Sequence, residues 1–200
     1  MEPVLLLFGH PAYEKSRINQ KLIRAASQID GIHLHDLYEC YPDYNIDVQA
    51  EQARLTGYNR IILQHPFYWY NCPPLVKQWI DLVLEHGWAY GSKGTALAGK
   101  SILQIVTTGG PAMAYQRSGF NRFSLRDFLS PFDQTFYLCG MHYLPPLAIQ
   151  GAHRIQPEEL DSEIKRYIRL LEAFRDGDYS NQTAEGIELA SEWPVLKEVR

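Results

Sequence analysis

Short apolar runs that alternate with amphipathic stretches are the feature that most constrains this 200-residue chain. Val4 to Phe8 is the first run, and Arg17 to Gln28 follows with Ile18, Leu22, Ile23 and Ala26 at helical spacing. Ile32 to Leu37 alternates apolar and polar residues, as a half-covered edge strand does. Val48 to Leu55 is expected as a short helix, and Ile61 to Leu63 as a buried strand running into the loop His65 to Pro74. Leu75 to Leu84 returns to helical spacing, Ser101 to Thr107 reads as a strand, and Leu125 to Leu138 reads as a helix. Tyr143 to Ile149 supplies a fifth strand, although Pro145-Pro146 demand a sheet edge or an irregular stretch there. Glu158 to Phe174 completes the pattern as an amphipathic helix. The alternation predicts an α/β fold: a five-stranded parallel sheet with helices on both faces, joined by right-handed crossovers. Residues 1–176 are expected to form this domain and residues 177–200 a C-terminal extension, partly ordered as an arm, while Gly87 to Gly99 reads as an insertion.

Composition narrows the function. Hydrophobic residues at 46% and charged ones at 21% suit a packed core and exclude a disordered chain. A net charge of -4 without a basic stripe argues against nucleic acid as a partner. Cys40, Cys72 and Cys139 form no CxxC pair, which disfavours a disulfide framework or zinc site and suggests a reducing compartment. The first residues lack a basic leader segment and read as a buried strand, not as a signal peptide or membrane span, so a cytoplasmic location is expected.

In an open parallel sheet, ligands sit beyond the carboxyl ends of the strands at the topological switch point. Three unusual segments fall there: His10 to Asn19, His65 to Asn71, and Thr107 to Tyr115. In the first, Ser16 precedes a helix whose free N–H groups suit a phosphate, with Asn19 as a further donor and His10 and Arg17 as sources of charge. Ser16 also makes sense as a helix cap alone. Neither a dinucleotide GxGxxG nor a Walker loop is present. The second segment carries four consecutive aromatics, Phe67, Tyr68, Trp69 and Tyr70, which suit a flat aromatic ligand, a hydrophobic plug or a subunit interface. In the third, Thr107-Thr108-Gly109-Gly110 lets the main chain approach a ligand closely, or is only a turn. Their coincidence at one sheet end favours a site.

Together these segments resemble the flavodoxin-like NAD(P)H:quinone oxidoreductases, and within them most of all the ancillary subunits of bacterial glutathione-regulated potassium-efflux systems. The likeness runs from about Val4 to Phe174. It rests on His10-Pro11 with Ser16-Arg17-Ile18-Asn19, on Tyr41 to Asp47, on Gln64 to Tyr70, on Pro73 to Asp81, on His86 to Gly91 and on Thr107 to Gly110. The resemblance implies a flavodoxin-like three-layer sandwich and FMN as cofactor. The phosphate would lie at His10, Ser16, Arg17, Ile18 and Asn19. The ring would lie between Phe67, Tyr68, Trp69 and Tyr70 on one side and Thr107, Thr108, Gly109 and Gly110 on the other. It further implies NADH or NADPH as co-substrate in a ping-pong hydride exchange with a quinone-like acceptor, and a homodimer. A membrane potassium-efflux antiporter is implied as partner, which would place the protein at the inner membrane's periphery. A tyrosine and a histidine assist hydride transfer in mammalian members. Tyr115 matches the tyrosine, but Asn121 stands where the histidine would fall, so Tyr115 is assigned to the catalytic site in a positioning role only.

Two other readings compete: a regulatory subunit that grips a transporter without turnover, and an electron carrier without a substrate. The latter is disfavoured because Gly9 to Asn19 lacks the Ser/Thr- and Gly-rich phosphate turn of flavodoxins. No metal site is assigned: His33 and His35 are expected to be solvated, Cys72 a packed thiol, and Asp43 and Asp47 turn and capping residues.

Overall fold

A computed structural model describes residues 2–198. Five parallel strands form one sheet in the order β2-β1-β3-β4-β5: β1 Val4–Phe8, β2 Ile32–Asp36, β3 Arg60–Pro66, β4 Ser101–Thr107 and β5 His142–Ile149. The helices are α1 Arg17–Ala26, α2 Leu37–Cys40, α3 Val48–Thr56, α4 Pro74–Val83, α5 Leu125–Leu138, α6 Pro157–Asp176 and α7 Pro194–Lys197. The strand order reverses at β1, so a crevice opens between the loops that follow β1 and β3. The expected α/β fold with a five-stranded parallel sheet is present.

Alternation along the central strands divides the core. Val4, Leu6 and Phe8 face one side with α1 and α6, while Leu5 and Leu7 face the other with α3, α4 and α5. Burial of both strand faces explains why β1 reads as an unbroken apolar run.

The prolines of β5 are accommodated where the sequence demanded. β5 is an edge strand, and its register with β4 shifts so that Leu103 pairs with Leu144 and Ile105 with Leu147. Pro145 and Pro146 thus share a bulge opposite Gln104. Within α5, Pro131 cannot bond the Asp127 carbonyl, and the Ser130 hydroxyl donates to that oxygen at 2.8 Å instead. Asp47 caps α3 by accepting from the Ala50 N–H at 3.0 Å, and Asp43 accepts from the Asn45 N–H.

Gly177 ends α6 in a left-handed conformation (φ 88°), which turns the chain back over β5. The stretch expected to extend as an arm is packed: Tyr179, Ala190, Trp193 and Leu196 are buried in the α1–α6 core. The Tyr179 hydroxyl donates to the Pro145 carbonyl at 2.8 Å, meeting a carbonyl of the bulge.

Candidate functional site

The loops after β1, β3 and β4 enclose a single cleft of about 1070 Å³. At one end α1 begins. Ser16 caps it, its Oγ accepting from the Asn19 N–H at 3.2 Å and from Asn19 Nδ2 at 3.1 Å. With both bonds accepted, the Ser16 hydroxyl keeps its own proton for an acceptor in the cleft. The first N–H groups of α1, from Arg17 and Ile18, have no intrahelical acceptor and add their partial positive charge.

Asn19 is buried, and a chain of neutral bonds fixes it. Asn19 Nδ2 donates to Thr107 Oγ1 at 3.1 Å, Gln64 Nε2 donates to Asn19 Oδ1 at 3.3 Å, and the Tyr167 hydroxyl donates to Gln64 Oε1 at 2.8 Å. The chain ties the ends of β3 and β4 and helix α6 to the residue that positions Ser16.

One expectation of charge is corrected, at His10. His10 is buried, and its Nδ1 accepts the Ala12 N–H at 3.1 Å. Burial lowers its pKa from the ordinary value, so at neutral pH it offers a neutral Nε2–H and not a cation. The Arg17 guanidinium donates to the Ile155 carbonyl at 2.7 Å and braces the loop before α6, while still lining the cleft.

At the far end stands the aromatic turn. Tyr68 and Asn71 exchange two backbone hydrogen bonds, with Trp69 (φ 49°) and Tyr70 (φ 62°) left-handed between them. Bulky residues pay strain in that conformation, and such strain concentrates at functional sites. The four aromatics do not form one wall. Phe67 is buried against Tyr115 and Phe128, Tyr70 stacks on Phe128 at 4.9 Å, Tyr68 packs edge-on to His10, and Trp69 is 93% exposed.

Opposite lies the Thr107 to Gly110 turn. Thr108 is buried and does not line the cleft: its N–H donates to the Ile149 carbonyl at 3.0 Å and its hydroxyl to the Gly110 carbonyl at 2.7 Å. Thr108 thus braces the turn, and Gly109 and Gly110 present it to the cleft. A Cβ on Gly109 would lie 2.6 Å from His153 Nε2, and one on Gly110 would lie 3.2 Å from the Tyr115 ring. Burial raises the Tyr115 phenol above its ordinary pKa, keeping it protonated at neutral pH. The remaining sequence candidates, including Ser16, Ile18, Asn19 and Thr107, all line the cleft.

A family model described as a flavodoxin-like fold matches residues 2–171. The chain belongs to that flavodoxin-like family. The glutathione-regulated potassium-efflux system ancillary protein KefG of Serratia proteamaculans is 44% identical over 164 residues, spanning 82% of this chain and 90% of that relative. General stress protein 14 of Treponema denticola, solved in complex with FMN, is 38% identical with a TM-score of 0.78, covering 88% of this chain and 98% of its own. A NADPH-quinone reductase of P. pentosaceus is 28% identical with a TM-score of 0.77, covering 84% and 96%.

The flavodoxin-like cleft also holds residues that sequence reading missed. Lys15 is an exposed cation beside α1, Phe120 is 91% exposed at the rim, and His153 stands over Gly109. Asn121, which the sequence puts where the family's histidine would fall, also faces the cleft and accepts from the Tyr70 hydroxyl at 3.3 Å. His153 follows the end of β5, so the rule that picked out the loops after β1, β3 and β4 also covers it.

Proposed function

We propose that this chain holds FMN in the cleft and transfers electron pairs from NADH or NADPH to a quinone-like acceptor by a ping-pong mechanism. One observation carries the reading: a helix start with a free serine proton and a glycine turn on which any Cβ would crowd the His153 and Tyr115 side chains meet an aromatic turn in one cleft. These features fit a phosphate at one end and a flat ring at the other.

In this reading Ser16, the N–H groups of Arg17 and Ile18, and neutral His10 hold the phosphate, with Asn19 fixing Ser16. Gly109 and Gly110 admit the ring to van der Waals distance and offer main-chain dipoles, and Tyr68 to Tyr70 cover it from the other side. FMN supplies the two-electron chemistry when bound. Tyr115, protonated and fixed against Phe67, positions the acceptor and keeps water from the turn. Residues 1–176 are the FMN-binding domain in this reading and 177–200 its C-terminal extension, which meets β5 through Tyr179.

The test is optical. Purified protein should be yellow, bleach on anaerobic addition of NADH or NADPH, and recover its colour when a quinone is added. Protein that keeps its colour with both nucleotides is not this enzyme.

The KefG likeness favours a second, compatible role: a cytoplasmic ancillary subunit docked peripherally on a potassium-efflux antiporter. Among the described residues no helix is long and apolar enough to cross a membrane, so membrane association would pass through the partner. Co-purification of the antiporter from solubilised membranes checks this. Exposed Trp69, Phe120, Phe123, Tyr137 and Leu138 support a homodimer, which light scattering measures.

A further inference from the structure

A second group of reactive side chains lies outside the cleft, where β2 turns into α2 beside α3. His35, expected to be solvated, is 6% exposed, whereas His33 is exposed and meets the Tyr58 hydroxyl. The reason is Glu51, fully buried beneath β2. Its Oε1 accepts from His35 Nε2 and from the Tyr41 hydroxyl, each at 2.8 Å, and its Oε2 accepts from Trp79 Nε1 at 2.8 Å. Burial alone would raise the Glu51 carboxyl, but the bonds from His35, Trp79 and Tyr41 outweigh it and hold the group below its ordinary value.

The ionised Glu51 fixes the tautomer of His35. With Nε2–H given to the carboxylate, the Nδ1 lone pair faces Cys40 Sγ at 3.7 Å. Cys40 is exposed, unlike half-buried Cys72 and buried Cys139. A nucleophile within reach of a base, and a base oriented by a buried carboxylate, is the arrangement that activates catalytic thiols.

We propose that Cys40, His35 and Glu51 form a nucleophilic centre, and that Cys40 is where this protein reacts covalently with electrophiles of the quinone and enone class. In the step, Sγ adds its electron pair to the β-carbon of the conjugated C=C while the thiol proton passes to His35 Nδ1. The π electrons move to the carbonyl oxygen as an enolate, which takes the proton back at its α-carbon. The net change is addition of S–H across C=C, with no electrons gained or lost overall. Glu51 acts as a positioning residue that stabilises the transient imidazolium.

The surroundings provide a test of sign. Burial, then the charge of Glu51, pushes the Cys40 thiol up, so a merely exposed Cys40 reacts more slowly than a free cysteine. Base assistance reverses that order. The holoprotein is incubated with N-ethylmaleimide at neutral pH and followed by intact mass and peptide mapping, with N-acetylcysteine as reference thiol. Cys40 should be alkylated at least about 10-fold faster than the reference, and His35→Gln should slow it by about 10²-fold, the usual share of a general base. The rate at Cys72 in the same sample should not change. Cys40→Ser should remove the fast adduct yet keep NAD(P)H–quinone turnover, since Cys40 does not line the cleft. A wild-type Cys40 no faster than N-acetylcysteine overturns the proposal, and that comparison needs no variant to fold. A folded His35→Gln protein with an unchanged Cys40 rate also overturns it.

Discussion

Beneath the cleft, Asn19, Gln64, Thr107 and Tyr167 join through neutral hydrogen bonds, whereas beside β2 Glu51 gathers His35, Tyr41 and Trp79 around a charge. Both clusters are buried, and both tie an irregular segment to the sheet. They differ in what happens when one member is lost. An amide chain can lose one link and keep the others, because no member carries a net charge. A buried carboxylate is tolerable only while its donors remain, and those donors depend on it equally. The neutral cluster suits a site whose geometry must hold at any working pH. The charged one suits a centre that moves a proton.

Glu51→Ala should break the contrast most severely, since it strands three buried donors. It should destabilise the fold by at least about 3 kcal/mol, since each buried donor left unpaired costs about 1–3 kcal/mol. Urea denaturation measures this, and a loss below about 1 kcal/mol would place the cluster with ordinary surface pairs.

A second test uses pH. His65, on β3, is fully buried against Phe132 of α5 and accepts from Gln104 Nε2 at 2.8 Å. Burial lowers its pKa from 6.5 to about 4. The unfolded chain therefore binds the proton first, and stability falls as pH drops from about 6.5 to about 4, by on the order of 3 kcal/mol in all. His65→Gln should flatten this limb in urea melts taken across that range. Glu51, whose folded carboxyl lies below its ordinary 4.5, adds stability that is present above 4.5 and lost at still lower pH. Across this acid range the Asn19 cluster should contribute no pH dependence.

Asn19→Ala should cost about 1–3 kcal/mol by leaving Gln64 and Thr107 short of partners, equally at pH 5 and pH 8, and should weaken flavin binding. The smallest effect is expected of Ser16→Ala, about 1 kcal/mol from the lost cap, with weaker flavin binding because the free hydroxyl proton goes too. Thermal melts and flavin titration separate the two contributions.

Much of this molecule was legible in advance because its central strands are buried on both faces and its helices are amphipathic. β4 and α5 begin and end where periodicity puts them, and Pro145-Pro146 signalled an edge before any bulge was seen. What periodicity could not show was partnership across the fold. Nothing local to His35 reveals that Glu51, sixteen residues away, will bury it. Nothing local to Thr108 reveals that its N–H is taken by Ile149. His10 looked like a charge for a phosphate because the burial that keeps it neutral is a tertiary fact, as is the bond from Arg17 to Ile155. The packed tail was missed for the same reason: Tyr179 and Trp193 find their partners only once β5 and α6 are assembled.

The central claim is that the glycine turn under His153 is the floor of a flavin site, and titration of flavin-free protein with FMN, followed by fluorescence quenching, tests it most directly. Folded wild-type protein should bind FMN saturably, and Gly109→Val should bind it markedly more weakly, because its side chain fills the floor and displaces the His153 ring. Folded wild-type protein that leaves FMN free, or a Gly109→Val protein that binds it equally well, would contradict the account.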